Sequence, residues 1–151
     1  MVTMPAPLSE ATERFLGTVM LATVGTRRAN GAVKMSPAWY EYRDGYFWLS
    51  TRRGAHWLDH IERDRSASLL MVDPADIHRL VHAETRLVGT TSEGALEQLD
   101  RLSLRYRGEP YRLAFPQHRV TIQLEPVYVR STVEPRRRPR AAAGARSERL
   151  G

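Results

Sequence analysis

The chain has 151 residues, of which 42% are hydrophobic and 26% are charged, and these proportions are typical of a single soluble globular domain. The absence of cysteine excludes disulfide bonds, thiolate metal sites and cysteine nucleophiles. The net charge is +6, but residues 135–151 carry six arginines and one glutamate, so the rest of the chain is nearly neutral. We therefore predict a folded domain over residues 1–134 and a basic, disordered tail over residues 135–151.

The first half of the chain predicts one short helix and three strands. Ser9 is a suitable N-cap for a helix that ends near Leu16. Asn30-Gly31 and Asp44-Gly45 are residue pairs that favour tight hairpin turns, because both members of each pair tolerate positive φ. An antiparallel meander is therefore predicted, with strands over residues 19–24, 32–43 and 46–50.

Pro37 lies within the second of these predicted strands. Proline cannot donate a hydrogen bond to a neighbouring strand, so it indicates an edge position, a β-bulge or a point where a ligand contacts the backbone. The segment around it, from Lys34 to Tyr40, is aromatic and extended. It is therefore a candidate ligand-binding strand.

The second half of the chain alternates between helical and extended patterns. Residues 54–63 place Trp57, Leu58 and Ile61 on one face of a helix, and residues 93–106 repeat leucine at the spacing of an amphipathic helix. Strands are predicted over residues 67–72, 77–91, 119–125 and 127–133, with Pro126 separating the last two. About seven antiparallel strands with small helices over their ends predict a mainly β fold of the closed or split β-barrel type.

Several well-known catalytic sites are absent from the sequence, including the glycine-rich dinucleotide fingerprint, the phosphate-binding loop and the nucleophile elbow. His56 and His60 share a face of the predicted helix, but Trp57 stands where a metalloprotease needs glutamate. This pair, like His78 and His82 on a strand, is interpreted as ordinary polar histidines. No metal site and no catalytic residue are assigned.

The strongest chemical pattern follows the strand over residues 46–50. There the sequence reads Ser50, Thr51, Arg52 and Arg53, followed directly by Gly54 and the predicted helix. Hydroxyl groups, guanidinium groups and the free N–H groups of a helix N-terminus together bind phosphate well. A polar strand end with two solvated arginines is the alternative interpretation.

Five stretches of the chain, taken in order, carry a family resemblance over roughly residues 15–129. They are FLGTVMLATV, NGAVKMSPAWYEYRDGYFWLSTRRG, HIERDRSASLLMVD, LDRLSLRYRG and HRVTIQLEPVYV. With these stretches the chain resembles the pyridoxamine 5'-phosphate oxidase-like, FMN-binding split-barrel family, including its branch that binds the deazaflavin coenzyme F-420.

The resemblance implies an antiparallel split β-barrel that forms a homodimer, with FMN or alternatively coenzyme F-420 bound between the subunits. The cofactor ring would rest on the strand that carries Lys34, Met35, Ser36, Pro37 and Ala38. The phosphate would be held by Ser50, Thr51, Arg52 and Arg53, with help from His56 and Trp57 in the following helix. The family commonly has lysine where Trp57 stands and asparagine where His60 stands, so other cations would have to replace that lysine.

Alternatives from different classes remain open. The first is a flavin-dependent oxidoreductase that transfers hydride via FMN to or from a small molecule, or a reductase that uses coenzyme F-420. Vitamin B6 oxidation is not expected, because the carboxy-terminal substrate-binding signature of pyridoxamine 5'-phosphate oxidases is not evident. The second is a non-catalytic split barrel that binds a flavin or a tetrapyrrole, and the third is a nucleic-acid binder that uses the basic tail.

The expected partners are a small-molecule substrate and a second copy of the chain. A homodimer is favoured because the strand over residues 77–91 has mixed polarity and because Trp39, Tyr40 and Trp48 are expected to be exposed. The first ten residues lack the features of a signal peptide, and no stretch is long and apolar enough to span a membrane. A cytoplasmic protein without a membrane partner is therefore expected.

Overall fold

The structure, a computed structural model, describes residues 7–114 and 117–133, and the predicted tail over residues 135–151 lies outside them. The helices of this part of the chain are α1 (Glu10–Leu16), α2 (His56–Asp64) and α3 (Ala95–Arg107). Its strands are β1 (Ala22–Arg27), β2 (Val33–Ala38), β3 (Tyr40–Arg43), β4 (Tyr46–Arg52), β5 (Ser66–Asp73), β6 (Asp76–Thr91) and β7 (Arg119–Ser131). None of the helices in these ranges is long and apolar enough to cross a membrane.

The strands form one antiparallel sheet in the order β2-β1-β5-β6-β7-β4-β3, and the sheet curls into a half-barrel. The prediction of a mainly β split barrel is therefore confirmed. Both predicted hairpin turns are also present, because Gly31, Asp44 and Gly45 all have positive φ, at 87°, 57° and 86°. Ser9 caps α1 as predicted, since its side chain accepts a hydrogen bond from the backbone N–H of Thr12.

The predicted meander of three strands is wrong, because the segment over residues 32–43 divides at Trp39 into β2 and β3. The β1–β2 hairpin lies at one edge of the sheet, and the β3–β4 hairpin lies at the opposite edge. Trp39 is held at this break by stacking on Tyr106 of α3, with the ring centroids 5.2 Å apart. Pro37 lies on β2, an edge strand of the sheet, which is one of the positions that the sequence indicated for it.

Two strand boundaries also differ from the prediction. β1 begins at Ala22 rather than at residue 19, and Val19 and Leu21 lie before it with more than half of their surface exposed. β7 continues through Pro126 instead of ending there. The β6–β7 register shifts at this position, so that Thr85 pairs with Pro126 and Val127 is the extra residue of a bulge.

The hydrophobic core fills the inner face of the curled sheet, against α1 and α2. Phe15 and Leu16 of α1 and Leu58 and Ile61 of α2 pack there with the alternating apolar residues of the strands. Tyr40 belongs to this core and is fully buried, so the expectation that it is exposed is wrong. α3 packs separately, against β7 and β4.

The guanidinium group of Arg105 joins α3 to two distant parts of the fold. It donates hydrogen bonds to the carbonyl oxygens of Leu16, the last residue of α1, and of Gly17 and Thr18, which follow it, at distances of 2.9 to 3.1 Å. It also donates to the carbonyl oxygen of Tyr40 in β3, at 3.0 Å. The carbonyls at the end of α1 have no partner within the helix, so one cation caps this end and joins α3 to an edge strand.

We predict that Arg105→Lys lowers the free energy of unfolding by about 1.5–3 kcal/mol, because lysine keeps the charge but cannot present the planar fork of donors. Urea unfolding followed by circular dichroism measures the change. Arg107→Lys is the matched control, since Arg107 lies two residues away in α3, is half exposed and pairs with Glu109 at 3.1 Å. The control should change stability by less than about 0.5 kcal/mol. Equal effects of the two substitutions would contradict the role given to Arg105.

Candidate functional site

A cleft with two connected halves lies where β2, the end of β4, the start of β7 and α2 meet. The first half, which we call the basic half, has a volume of about 500 Å³. Its polar lining consists of Lys34, Ser50, Thr51, Arg52, His56, Gln117 and Arg119. No acidic side chain contributes to this half within the part of the chain that the structure describes. The basic half is therefore suited to an anionic group.

The second half, which we call the apolar half, has a volume of about 410 Å³. Its own walls are Leu21, Ala38, Trp39, Leu99 and Leu102, and it shares Pro37, Ser50, Trp57, Tyr111 and Arg119 with the basic half. The aromatic rings give this half flat surfaces of the kind that binds planar molecules. The two halves together fit a planar ring system that carries a negatively charged group.

The end of β4 and the start of α2 form the floor of the basic half. The chain turns between them at Gly54, whose φ of +99° is a conformation that other residues adopt only with strain. Ala55 is the N-cap of α2 and provides no side-chain hydrogen bond to the first turn. The first N–H groups of α2 are therefore available to a ligand, and the positive end of the helix favours an anion.

Eight of the eleven residues proposed from the sequence line this cleft. They are Lys34, Pro37, Ala38, Ser50, Thr51, Arg52, His56 and Trp57. The structure thus brings the predicted strand and the predicted phosphate-binding segment together, although they lie near opposite edges of the sheet. The curl of the half-barrel brings these edges together.

The other three residues have different environments. Met35 lies on the outer face of β2, with 61% of its surface exposed, and lines a separate cavity there with Val33. Ser36 is buried. The guanidinium group of Arg53 forms an ion pair with Glu62 of α2 at 2.7 Å and does not line the cleft.

Arg119, the first residue of β7, is a cleft residue that the sequence analysis missed. Its guanidinium group donates to Ser50 Oγ at 2.8 Å and to Gln117 Oε1 at 3.0 Å, while its buried Nε has no acceptor among the described residues. Burial lowers the pKa of Arg119, and the positive charge of Arg52 lowers it further. An arginine at the start of an alternating strand carries no distinguishing sequence signal, so only the pairing of β7 with β4 reveals it.

Tyr111 and Gln117 were also missed, because they lie in the connection between α3 and β7, which has no periodic pattern. Tyr111 lines both halves of the cleft, and its ring contacts Trp39 edge to face at 6.2 Å between centroids. Its backbone N–H donates to Asp100 of α3 at 3.0 Å. This hydrogen bond positions the aromatic side chain over the cleft.

The histidines considered as metal ligands are not grouped together. His56 lines the basic half, whereas Nδ1 of His60 lies 3.0 Å from the hydroxyl of Thr26. His82 contacts Glu84 at 2.6 Å on the outer face, and His78 is exposed. Burial, together with neighbouring cations such as Arg63, lowers the pKa of His60. Within residues 7–114 and 117–133, no group of three potential metal ligands occurs.

Comparison of the fold with solved structures finds 84 similar chains. An F-420 reductase superposes with a TM-score of 0.72 at 15% identity, over 83% of this chain and 98% of that one. A conserved hypothetical protein from Mycobacterium tuberculosis gives a TM-score of 0.67 at 21% identity, over 93% and 99% of the two chains. General stress protein 26 from Bacillus anthracis gives a TM-score of 0.61 at 16% identity, over 80% of this chain and 89% of that one. At these identities the likeness concerns the fold.

Sequence comparison adds a family assignment. No curated protein matches the chain significantly. A family model described as pyridoxamine 5'-phosphate oxidase, however, matches residues 8–133, which include all of the strands and helices described above. The chain therefore belongs to the pyridoxamine 5'-phosphate oxidase family.

Proposed function

We propose that this protein is a flavin-dependent oxidoreductase that binds FMN in the cleft and transfers hydride to or from a small molecule. The observation that carries the proposal is the division of the cleft into a cationic half and an aromatic half within a chain of this family. A bound flavin supplies the hydride chemistry itself, so the protein needs to bind, orient and shield the reacting molecules. The cleft provides groups for each of these tasks.

The basic half would hold the phosphate group. Ser50 and Thr51 contribute hydroxyl groups, Arg52 contributes a guanidinium group, and the first turn of α2 contributes backbone N–H groups. Lys34 and His56 border the same space. These cations would replace the helical lysine that the family commonly has at the position of Trp57.

The aromatic side chains would hold the ring system. Trp57 and Tyr111 line both halves of the cleft, so they extend an aromatic surface from the phosphate end into the apolar half. Trp39 forms the far wall, where its ring is fixed between Tyr106 and Tyr111. A wall of this rigidity excludes water from one face of a bound ring.

A reductase that uses coenzyme F-420 is the second candidate, because the fold superposes on an F-420 reductase over 98% of that chain. The absorbance spectrum of the purified full-length protein distinguishes the two candidates. We expect a yellow protein with a flavin spectrum, and titration of the colourless form with FMN should restore that spectrum. A colourless protein that binds added F-420 but not FMN would favour the second candidate, and a cofactor that no electron donor reduces would indicate a non-catalytic binding protein.

We predict that Arg52→Ala weakens FMN binding by about tenfold to a hundredfold, because a charge-assisted hydrogen bond to phosphate contributes roughly 1.5–3 kcal/mol. Fluorescence titration of FMN measures the dissociation constant. Arg53→Ala is the matched control, since this neighbouring side chain is paired with Glu62. A larger loss of affinity from Arg53→Ala than from Arg52→Ala would contradict the assignment of Arg52 and would favour Arg53 as the phosphate ligand.

We further propose that the protein is a homodimer, supported by apolar side chains exposed on the outer face of the sheet. Val33, Met35 and Tyr128 each expose more than half of their surface. Val33, Met35 and His82 line one cavity of about 550 Å³, and the ring of Tyr128 contacts His82. Large apolar side chains exposed around one cavity are candidates for contact with a second subunit.

Light scattering at micromolar concentration should therefore report twice the chain mass of 17.2 kDa. Met35→Glu should shift the protein towards the monomer, because it places a charge within the apolar surface. Ile77→Glu is a control at an equally exposed apolar residue, with 69% of its surface accessible, at the far end of β6. A wild-type mass of 17.2 kDa would overturn the proposal.

A further inference from the structure

Arg119 is partly buried and has no carboxylate partner among the described residues, unlike several exposed arginines of the fold. Arg53 pairs with Glu62, Arg86 pairs with Glu125, and Arg101 pairs with Glu41. Within the described ranges, no carboxylate lies within ion-pair distance of Arg119. Its charge is therefore available to an anion from outside the chain.

Arg119 lines both halves of the cleft, and its guanidinium group has only neutral hydrogen-bond partners among the described residues. Ser50 Oγ and Gln117 Oε1, its two acceptors, are both neutral groups, and both residues line the basic half. The Nε atom is buried and has no acceptor among the described residues. Each terminal nitrogen of the guanidinium group carries a second N–H besides the one that donates to Ser50 or Gln117, and a ligand oxygen in the cleft can accept a hydrogen bond from it.

The neighbouring strand makes this site still more favourable to an anion. Arg52 of β4 is the direct cross-strand partner of Arg119, so two positive charges stand opposite each other. Like charges in this position destabilise a sheet, and an anion that contacts both guanidinium groups removes the repulsion. Unfavourable arrangements of this kind, in which like charges are held next to each other by the fold, are typical of binding sites.

The position of Arg119 also limits the kind of ligand. Among the described residues that line the apolar half, Arg119 is the one with a charge, and it lies where the two halves meet. A ligand whose flat part lies between Trp39, Trp57 and Tyr111 would present its edge to this guanidinium group. The ligand class is therefore a planar aromatic molecule that carries an oxyanion.

We propose that Arg119 binds the oxyanion of the aromatic ligand in this cleft and is the residue that selects anionic over neutral ligands. The proposal rests on the proposed function only in so far as an aromatic ligand occupies the cleft. The oxyanion has two possible sources, the phosphate of the cofactor and a carboxylate of the substrate. Both would form the same charge-assisted hydrogen bonds with the guanidinium group.

The first arm of the test asks whether the oxyanion that Arg119 binds is the phosphate of the cofactor. Dissociation constants for FMN and for riboflavin, which lacks the phosphate, are determined by fluorescence titration of the full-length wild type, Arg119→Gln and Arg130→Gln. Arg130 is the control because it is an exposed arginine on the same strand. If the phosphate is the oxyanion, Arg119→Gln should reduce the preference for FMN over riboflavin by about tenfold or more, and Arg130→Gln should leave it unchanged.

The second arm asks whether the oxyanion that Arg119 binds is a carboxylate of the substrate. The flavin-loaded protein, or the chain alone if it binds no flavin, is titrated by calorimetry with 2-naphthoate and with the neutral isostere 2-naphthamide. If a carboxylate is the oxyanion, the wild type should prefer naphthoate, and Arg119→Gln should abolish that preference while FMN affinity stays the same. Because this arm does not require flavin, the inference and the proposed function can fail separately.

Loss of either preference in Arg119→Gln supports the inference and identifies the source of the oxyanion. The inference is overturned if Arg119→Gln changes neither the preference for FMN over riboflavin nor the preference for naphthoate over naphthamide. It is also overturned if the wild type shows neither preference. Arg119→Lys provides the second variant in case Arg119→Gln does not fold. Lysine keeps the charge but cannot contact two oxygens in a planar fork, so it should retain only part of the affected preference.

Discussion

The position of α3 depends on the hydrogen bonds of Arg105, and the cleft depends on the position of α3. One guanidinium group donates hydrogen bonds to three carbonyls at the C-terminal end of α1 and to the carbonyl of Tyr40 in β3. With α3 fixed in this way, Tyr106 supports the ring of Trp39, and Leu99 and Leu102 reach the apolar half. Arg105, which does not line the cleft, thereby positions the residues of α3 that form the wall of the apolar half.

Arg105 and Arg119 are both partly buried, but their guanidinium groups differ in how completely the fold satisfies them. Arg105 is surrounded by carbonyl acceptors, so its hydrogen-bonding capacity is used within the fold. Arg119 lies opposite Arg52 on the neighbouring strand, and its Nε has no acceptor in the part of the chain that the structure describes. The first arrangement stabilises the folded state, whereas the second loses stability that a bound anion can restore.

Much of the fold could be predicted from local patterns, because hairpin turns and amphipathic helices are determined by nearby residues. Asn30-Gly31 and Asp44-Gly45 form turns, and Leu99 and Leu102 of α3 are buried as their spacing indicates, although Leu96 is exposed. The meander could not be excluded from the sequence, because nothing local distinguishes a continuous strand over residues 32–43 from two strands that pair at opposite edges. Stacking of Trp39 on a residue 67 positions later decides between them.

The sequence by itself determined the two segments that supply most of the cleft. One has hydroxyl and guanidinium groups directly before a helix, and the other is an extended strand that contains proline, and both patterns indicate ligand binding from neighbouring residues alone. Only the tertiary structure decided which of their side chains face the cleft. Arg53 pairs with Glu62 and Met35 lies on the outer face, while Arg119 enters the cleft because β7 pairs with β4. The physical reason is that side-chain direction and charge pairing depend on strand register and on the curl of the sheet, which are set by contacts between residues far apart in the chain.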